Sequence, residues 1–341
     1  MNSPSGKTNI YAIDALRVVA ILAVVLIHTS TRTLEASHYN LIAFPVSIFL
    51  NQISRFAVPL FFMISGFVLE LNYDFNAGFW PYLKKRFSRI FIPYLFWSAV
   101  YYFFVYKIHH VNFIQALLTG NSSYQLYFIP SLLIFYLIFP LLHKIYKTIS
   151  NRWVLILLGL IELCLLYRDY YYHNSTNPFP VDMALFNYYV FILGMFASHH
   201  QEKILELVSK CKYWLLLITV GMGVYVFWEG RSTYLATYNY LAFYSQWRPS
   251  VLVYTVLIAG LFYYLFSLSD RGNSIINTLS KLSFFVFFIH VIFLETLWFY
   301  FGKYFYTRPL FDVLFFALVA GLSFAAAYLV HKIPHLSKIT G

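Results

Sequence analysis

Ten apolar stretches, each long enough or nearly so to cross the ~30 Å hydrocarbon layer of a bilayer, dominate this chain of 341 residues. They fall at about residues 11–30, 45–70, 90–106, 125–142, 153–167, 184–198, 213–228, 249–267, 283–301 and 310–331. Lipid offers the backbone no hydrogen-bond partners, so a spanning segment must be a helix or part of a closed barrel. Continuous apolar runs of this length specify helices. The expected fold is therefore all-α, a polytopic bundle of about ten transmembrane helices. The composition agrees, since only 11% of residues are charged against ~25% in a soluble domain. The 37 Phe and 31 Tyr suit lipid-facing surfaces and interfacial belts.

The net charge of +11 comes from 24 Lys and Arg that lie mostly in short loops rather than in one stripe. It argues for topology, not for nucleic acid. The N-terminus and alternate loops, including Lys7, Lys84, Lys85, Arg86, Arg89, Arg271 and Lys338, hold 15 of these charges, and the opposite loops hold seven. By the positive-inside rule both termini are expected in the cytoplasm. Cys164 lies in an apolar stretch and Cys211 in an inner loop, so neither a disulfide nor a metal site is expected. The first stretch lacks a signal-peptide cleavage pattern and is expected to stay in the protein. With no internal repeat and no long linker, residues 1–341 read as one transmembrane domain without an appended soluble domain.

Polar groups inside apolar stretches are costly, so each is a candidate for chemistry. Arg17 and His28 are eleven residues apart on the first stretch, which places them on one helix face with Cα atoms roughly 16 Å apart. Asp14 stands three residues before Arg17 and is a candidate partner. In "YLKKRFSRIFIPY", Arg86 and Arg89 share a face near the inner membrane surface, where paired guanidinium groups suit phosphate. Anionic lipid headgroups are the alternative target. In "RFAVPLFFMISGFVL", Arg55 lies inside an apolar stretch and needs neutralising by Glu162, Glu295 or a ligand. Ser65 and Gly66 in the same stretch read as packing devices. Ser283 and His290 lie two turns apart on one face of "LSKLSFFVFFIHVIFLETL", with Glu295 beyond. The partner of Glu162, a lone acid in "GLIELCLL", cannot be named from the sequence.

Five segments in order resemble the acyltransferase 3 family. They are "IDALRVVAILAVVLIH", "VPLFFMISGFVL", "YLKKRFSRIFIPYLFW", "YQLYFIPSLLIFYLIFPLL" and "LSKLSFFVFFIH", and the resemblance runs from about residue 10 to residue 335. It implies a ten-helix membrane enzyme that moves an acyl group, usually acetyl from cytoplasmic acetyl-CoA, onto a hydroxyl of a sugar, glycan or lipid-linked precursor. By position Arg17 and His28 match the family's arginine and histidine, Arg86 and Arg89 its basic pair, and Ser283 and His290 its late serine and histidine. Where many members have His before Leu-Trp-Phe, this chain has Gln125 before Leu126-Tyr127-Phe128. A proton-transfer role is lost there, although glutamine can still bind a sugar hydroxyl.

The expected enzyme is thus a cell-membrane O-acyltransferase with acetyl-CoA as donor and a polysaccharide or lipid-linked glycan precursor as acceptor. His28 is its expected general base, because histidine's unperturbed pKa of ~6.5 lies near working pH. Arg17, Arg86 and Arg89 are expected to bind the donor's phosphates, and Arg55, Gln125, Ser283, His290 and Glu295 the acceptor. No metal or nucleic acid is expected; membrane lipids, and a glycan synthesis or export complex, are the expected company. Direct transfer and an acyl-histidine intermediate both fit the residues, and general-base catalysis needs no second activated step. The alternative is a polysaccharide exporter or flippase without acyl transfer.

Overall fold

The computed structural model describes residues 10–36, 44–74, 78–173, 179–237, 245–269, 274–308, 310–333 and 336. Among these residues every regular element is helical. In chain order they are α1 (Ile10–Ala36), α2 (Phe44–Ile53), α3 (Ala57–Leu71), α4 (Phe79–Ala99), α5 (Phe113–Thr119), α6 (Phe128–Lys144), α7 (Tyr146–Ile149) and α8 (Arg152–Arg168). Then follow α9 (Pro180–Leu185), α10 (Tyr188–His199), α11 (Gln201–Thr237), α12 (Pro249–Ser267), α13 (Ser274–Leu297), α14 (Lys303–Phe305) and α15 (Phe311–His331). Wider π-helical turns extend α4, α8 and α13. Lys7, Arg271 and Lys338, three of the charges behind the expected topology, lie outside the described residues.

Among the described residues seven helical segments are long and apolar enough to cross a membrane: Tyr11–Ala36, Pro45–Leu71, Phe79–Val105, Gln201–Ala236, Pro249–Ser267, Ser274–Phe305 and Phe311–His331. The chain is a multi-pass membrane protein. The expected stretches at 125–142, 153–167 and 184–198 fall on the shorter helices α6, α8 and α10. Where one stretch was expected over 45–70, a turn at Ser54–Phe56 separates α2 from α3. Pro59 supplies the reason, for it lacks the N–H that would bond the Arg55 carbonyl and its ring crowds that same oxygen. Tighter bonds bridge the turn, from Arg55 N–H to the Gln52 carbonyl (3.2 Å) and from Ala57 N–H to the Ser54 carbonyl (3.0 Å).

The helices form two compact units, Met1–Phe61 with His200–Leu329, and Phe62–His199 with Val330–Gly341. In the first, α1 packs against α2, α12 and α13, and α11 packs against α2 and α12. Ala20, Ile21 and Val25 of α1 are fully buried, so its small and branched residues form the centre of this unit. Tyr213, Trp214, Leu217 and Val224 of α11 point outward, as lipid-facing residues do.

The second unit has an aromatic core in which Phe62 meets Phe128 and Phe135 (ring centroids 4.8 and 5.3 Å), and Phe135 stacks on Phe191 at 4.4 Å. Here α3 and α10 cross glycine against backbone. A Cβ on Gly66 would collide with the Phe191 carbonyl, and one on Gly194 with the Met63 carbonyl. Gly66 is therefore a packing position.

Candidate functional site

Helices α1 and α13 exchange polar contacts along their lengths. Asp14 Oδ1 accepts from Arg17 Nη1 at 2.9 Å and from Ser280 Oγ at 2.7 Å. Further along, the His28 and His290 rings lie with centroids 5.3 Å apart, tilted by 30°. Further still, Arg32 Nη2 donates to Glu295, while its Nη1 donates to Glu35 at 3.0 Å. Partners rise together from 14 and 280 through 28 and 290 to 32 and 295, so the two helices run parallel. Helix α1 is unbroken from Ile10 to Ala36, which keeps Arg17 and His28 on one face roughly 16 Å apart. Both are partly exposed between buried neighbours.

His290 is fully buried. Its Nδ1 lies 3.0 Å from the Val286 carbonyl, and because a carbonyl only accepts, Nδ1 carries a proton. Nε2 then holds a lone pair in the neutral ring, and no described residue bonds to it. The histidine pair therefore contains one imidazole with its tautomer fixed by its own helix. Ser283 donates instead to the Ser280 carbonyl at 2.7 Å, a bond within α13.

Arg55 sits at the turn between α2 and α3, 3% exposed, and is an electrostatic neighbour of His28. Glu295 is engaged by Arg32, and Glu162 accepts from the Tyr189 backbone N–H at 2.6 Å, an orphan donor in the first turn of α10. Arg55 Nη2 donates to Asn51 Oδ1. Gln52 Nε2 donates to the same oxygen at 3.1 Å, Gln52 Oε1 accepts from Arg248, and Arg248 Nη1 lies 3.3 Å from Glu229. Ser250 donates to Glu229 as well. Gly230 allows the approach of α2 to α11, since a side chain there would strike Gln52 Oε1. The buried polar chain from Asn51 to Ser250 belongs wholly to the first unit.

The remaining expected residues lie in the second unit. Arg86 is half-buried and Arg89 exposed on α4. Gln125 is buried, with Oε1 accepting from Ser123 Oγ and Nε2 bonded to no described residue. This unit also holds a cluster that the sequence did not reveal. Glu70 on α3 accepts from His143 Nδ1 (3.0 Å) and His199 Nε2 (2.8 Å), and Tyr146 stacks on His199 at 4.5 Å. Burial, reinforced by the Glu70 carboxylate, pushes the Tyr146 phenol up to about 12.

The sequence reading also missed Asn51, Gln52, Glu229, Arg248 and Asp312, the last of which accepts from Thr33 at 2.6 Å and from Ser47. One signal was present: Asn51 and Arg55 have the i, i+4 spacing at which helical side chains meet. Among the described residues no group of three or more His, Cys, Asp or Glu could hold a metal ion.

The acyltransferase 3 family model, described as an acyltransferase domain, matches residues 10–332. A Bacillus subtilis protein named as a putative membrane-bound acyltransferase, YfiQ, is 24% identical over 302 residues, covering 82% of this chain and 79% of its own length. A Staphylococcus epidermidis protein named as a probable poly-beta-1,6-N-acetyl-D-glucosamine export protein is 23% identical over 321 residues, or 86% and 84% of the two chains. A Staphylococcus aureus protein of the same name is 23% identical over 305 residues, 84% and 82%. No solved structure matches the chain.

Proposed function

The chain belongs to the acyltransferase 3 family, and from that membership we propose that it transfers an acetyl or other short acyl group from cytoplasmic acyl-CoA to a hydroxyl of a cell-surface polysaccharide or lipid-linked glycan precursor. The observation that carries the reading is the α1 face, with Arg17 near one end, partly exposed His28 toward the other, and the His290 ring beside His28. Arg17 binds donor phosphate at the cytoplasmic end, and an extended pantetheine arm covers much of the roughly 16 Å to His28. His28 takes the proton of the acceptor hydroxyl as its oxygen attacks the thioester carbonyl. When the tetrahedral adduct collapses, the C–S bond breaks and the CoA thiolate receives that proton. Arg86 and Arg89, in the second unit, are proposed as donor-phosphate contacts from the family's basic pair alone. Gln125, Ser283, His290 and Glu295 are proposed acceptor contacts on the same ground.

The proposed topology is ten crossings with both termini cytoplasmic. The parallel course of α1 and α13 supports it. Parallel neighbours need an odd number of crossings between them, yet among the described residues four of the long apolar segments lie there. An odd number of the shorter helices must then cross as well, and α6, α8 and α10 make three.

The test is transfer from radiolabelled acetyl-CoA to surface glycan in membranes holding wild-type protein or His28→Ala. Label in the polymer with wild type alone is the expected result; equal label in both removes His28 from the chemistry. The names of the staphylococcal relatives favour a second reading, polysaccharide export without acyl transfer. Export that persists when CoA is depleted, with acceptor that never becomes acylated, would establish that reading instead.

A further inference from the structure

We infer that Asn51 is a positioning residue for His28, because its side-chain amide holds the turn of α1 that carries the proposed base. This inference rests on the acyltransferase reading and deepens it, since it names what keeps the base in place during transfer.

Asn51 lies in the last turn of α2 and is fully buried. Its Nδ2 donates to the Ile27 carbonyl at 3.1 Å, to Ser30 Oγ at 3.1 Å and to Thr31 Oγ1 at 3.0 Å. Two N–H groups thus serve three acceptors, and one of them is shared. Residues 27, 30 and 31 lie on one face of a helix, and His28 stands about 100° round from Ile27. The amide therefore grips α1 beside the imidazole, whose ring lies with its centroid 5.3 Å from that of His290 on α13.

The direction of the amide is fixed from both ends. On α1 the Ile27 carbonyl only accepts. On the far side Arg248 only donates, and its Nη2 gives a 2.5 Å hydrogen bond to Gln52 Oε1. That turns Gln52 Nε2 toward Asn51 Oδ1, 3.1 Å away, and Arg55 Nη2 donates to the same oxygen. Asn51 must then present its N–H groups to α1. Ser30 commits its own proton to the Leu26 carbonyl at 2.6 Å, so its oxygen is left to accept.

A small slip of α1 has a large consequence for the base. A group at the 5–6 Å outer radius of a helix moves roughly 1 Å when the helix turns by roughly 10° about its axis. A displacement of about 1 Å can cost about 10²-fold in rate. Asp14 and Ser280 join α1 to α13 at roughly 21 Å along the axis from His28, and Arg32 reaches Glu295 through a long side chain. Asn51 instead bonds a backbone carbonyl one residue from the base.

The full chain in membranes is assayed with acetyl-CoA as donor, the membrane glycan as acceptor and free thiol as readout, with rates expressed per inserted protein. Asn51→Leu, close in size but without hydrogen bonds, is expected to lower kcat by roughly 10–100-fold with KM for acetyl-CoA nearly unchanged. Ser30→Ala with Thr31→Val removes two of the three acceptors from the α1 side, and a smaller loss of roughly 3–10-fold is expected. Added to Asn51→Leu, that pair should lower kcat no further, because the same clamp is already gone. Ser323→Ala on α15 removes a buried hydroxyl bonded within its own helix to the Val319 carbonyl, and should leave kcat unchanged. If Asn51→Leu fails to insert, Asn51→Ser, too short to reach all three acceptors, takes its place in the series. Full kcat in the Asn51 variant, a rise in KM alone, losses that multiply in the combined variant, or an equal loss in Ser323→Ala would overturn the inference. Absence of transfer by wild type would instead refute the acyltransferase reading beneath it.

Discussion

The crossing of α3 and α10 allows a stability prediction whose sign is opposite to the intrinsic preference of the residue. Alanine in place of glycine within a helix normally stabilises by about 0.8–1 kcal/mol. At Gly66 the added Cβ would lie 2.9 Å from the Phe191 carbonyl carbon and nearer still to its oxygen; at Gly194 it would lie 2.9 Å from both the Met63 carbonyl carbon and the Phe67 nitrogen. Ordinary contact begins at 3.4 Å, so the helices must separate by at least roughly 0.5 Å. The obstacles are backbone atoms, which cannot rotate aside. Overpacking of this kind costs about 1–3 kcal/mol, and with the propensity gain deducted a net loss of up to about 2 kcal/mol is expected for Gly66→Ala or Gly194→Ala. Either substitution alone forces the same separation. The double variant should therefore lose less than the two singles together, by about 1 kcal/mol. Gly321 on α15 is the control, since a Cβ there meets nothing within 4 Å, and Gly321→Ala should be neutral or stabilising. Reversible unfolding in mixed detergent micelles measures all four variants. If Gly66→Ala is as stable as Gly321→Ala, or the double variant is strictly additive, the close-crossing argument fails.

Other substitutions test the polar contacts. Arg248→Ala removes the cation 3.3 Å from the buried Glu229 carboxylate and should destabilise the chain by about 3–5 kcal/mol in the same unfolding assay; Arg248→Ala combined with Glu229→Gln should recover part of that loss. Glu70→Leu removes the acceptor of two imidazoles that can return partly to water, so a loss of about 1–2 kcal/mol is expected. On the proposed reading, Arg17→Ala should raise KM for acetyl-CoA by roughly tenfold and leave kcat nearly unchanged, as initial rates over a donor titration would show.

The sequence made the helices legible because lipid leaves the backbone so few alternatives. It made single polar positions legible for the same reason: Arg17, His28, Arg55, Glu162 and His290 stand out in apolar stretches as groups that need partners. The partners divide by distance along the chain. Asp14 with Arg17 is local and was recognised. Asn51 with Arg55 is equally local, yet a charge in an apolar stretch points first to an acid or a ligand, and an uncharged amide four residues away gives no such signal. Glu70 with His143 and His199 joins residues 73 and 129 positions apart, and no spacing rule reaches that far.

The location of the break at Ser54–Phe56 follows from Pro59, yet hydropathy alone reads 45–70 as continuous. Apolarity reports where a segment resides, and the missing N–H of a proline reports where its helix must open. For this chain the second signal also locates Arg55, because the opening falls at that residue. An uninterrupted helix would have continued the regular course of α2 past this residue. The turn redirects the chain one residue beyond Ser54, four residues after the amide that holds the arginine. The same proline that limits the helix thereby favours the placement of a permanent cation next to His28.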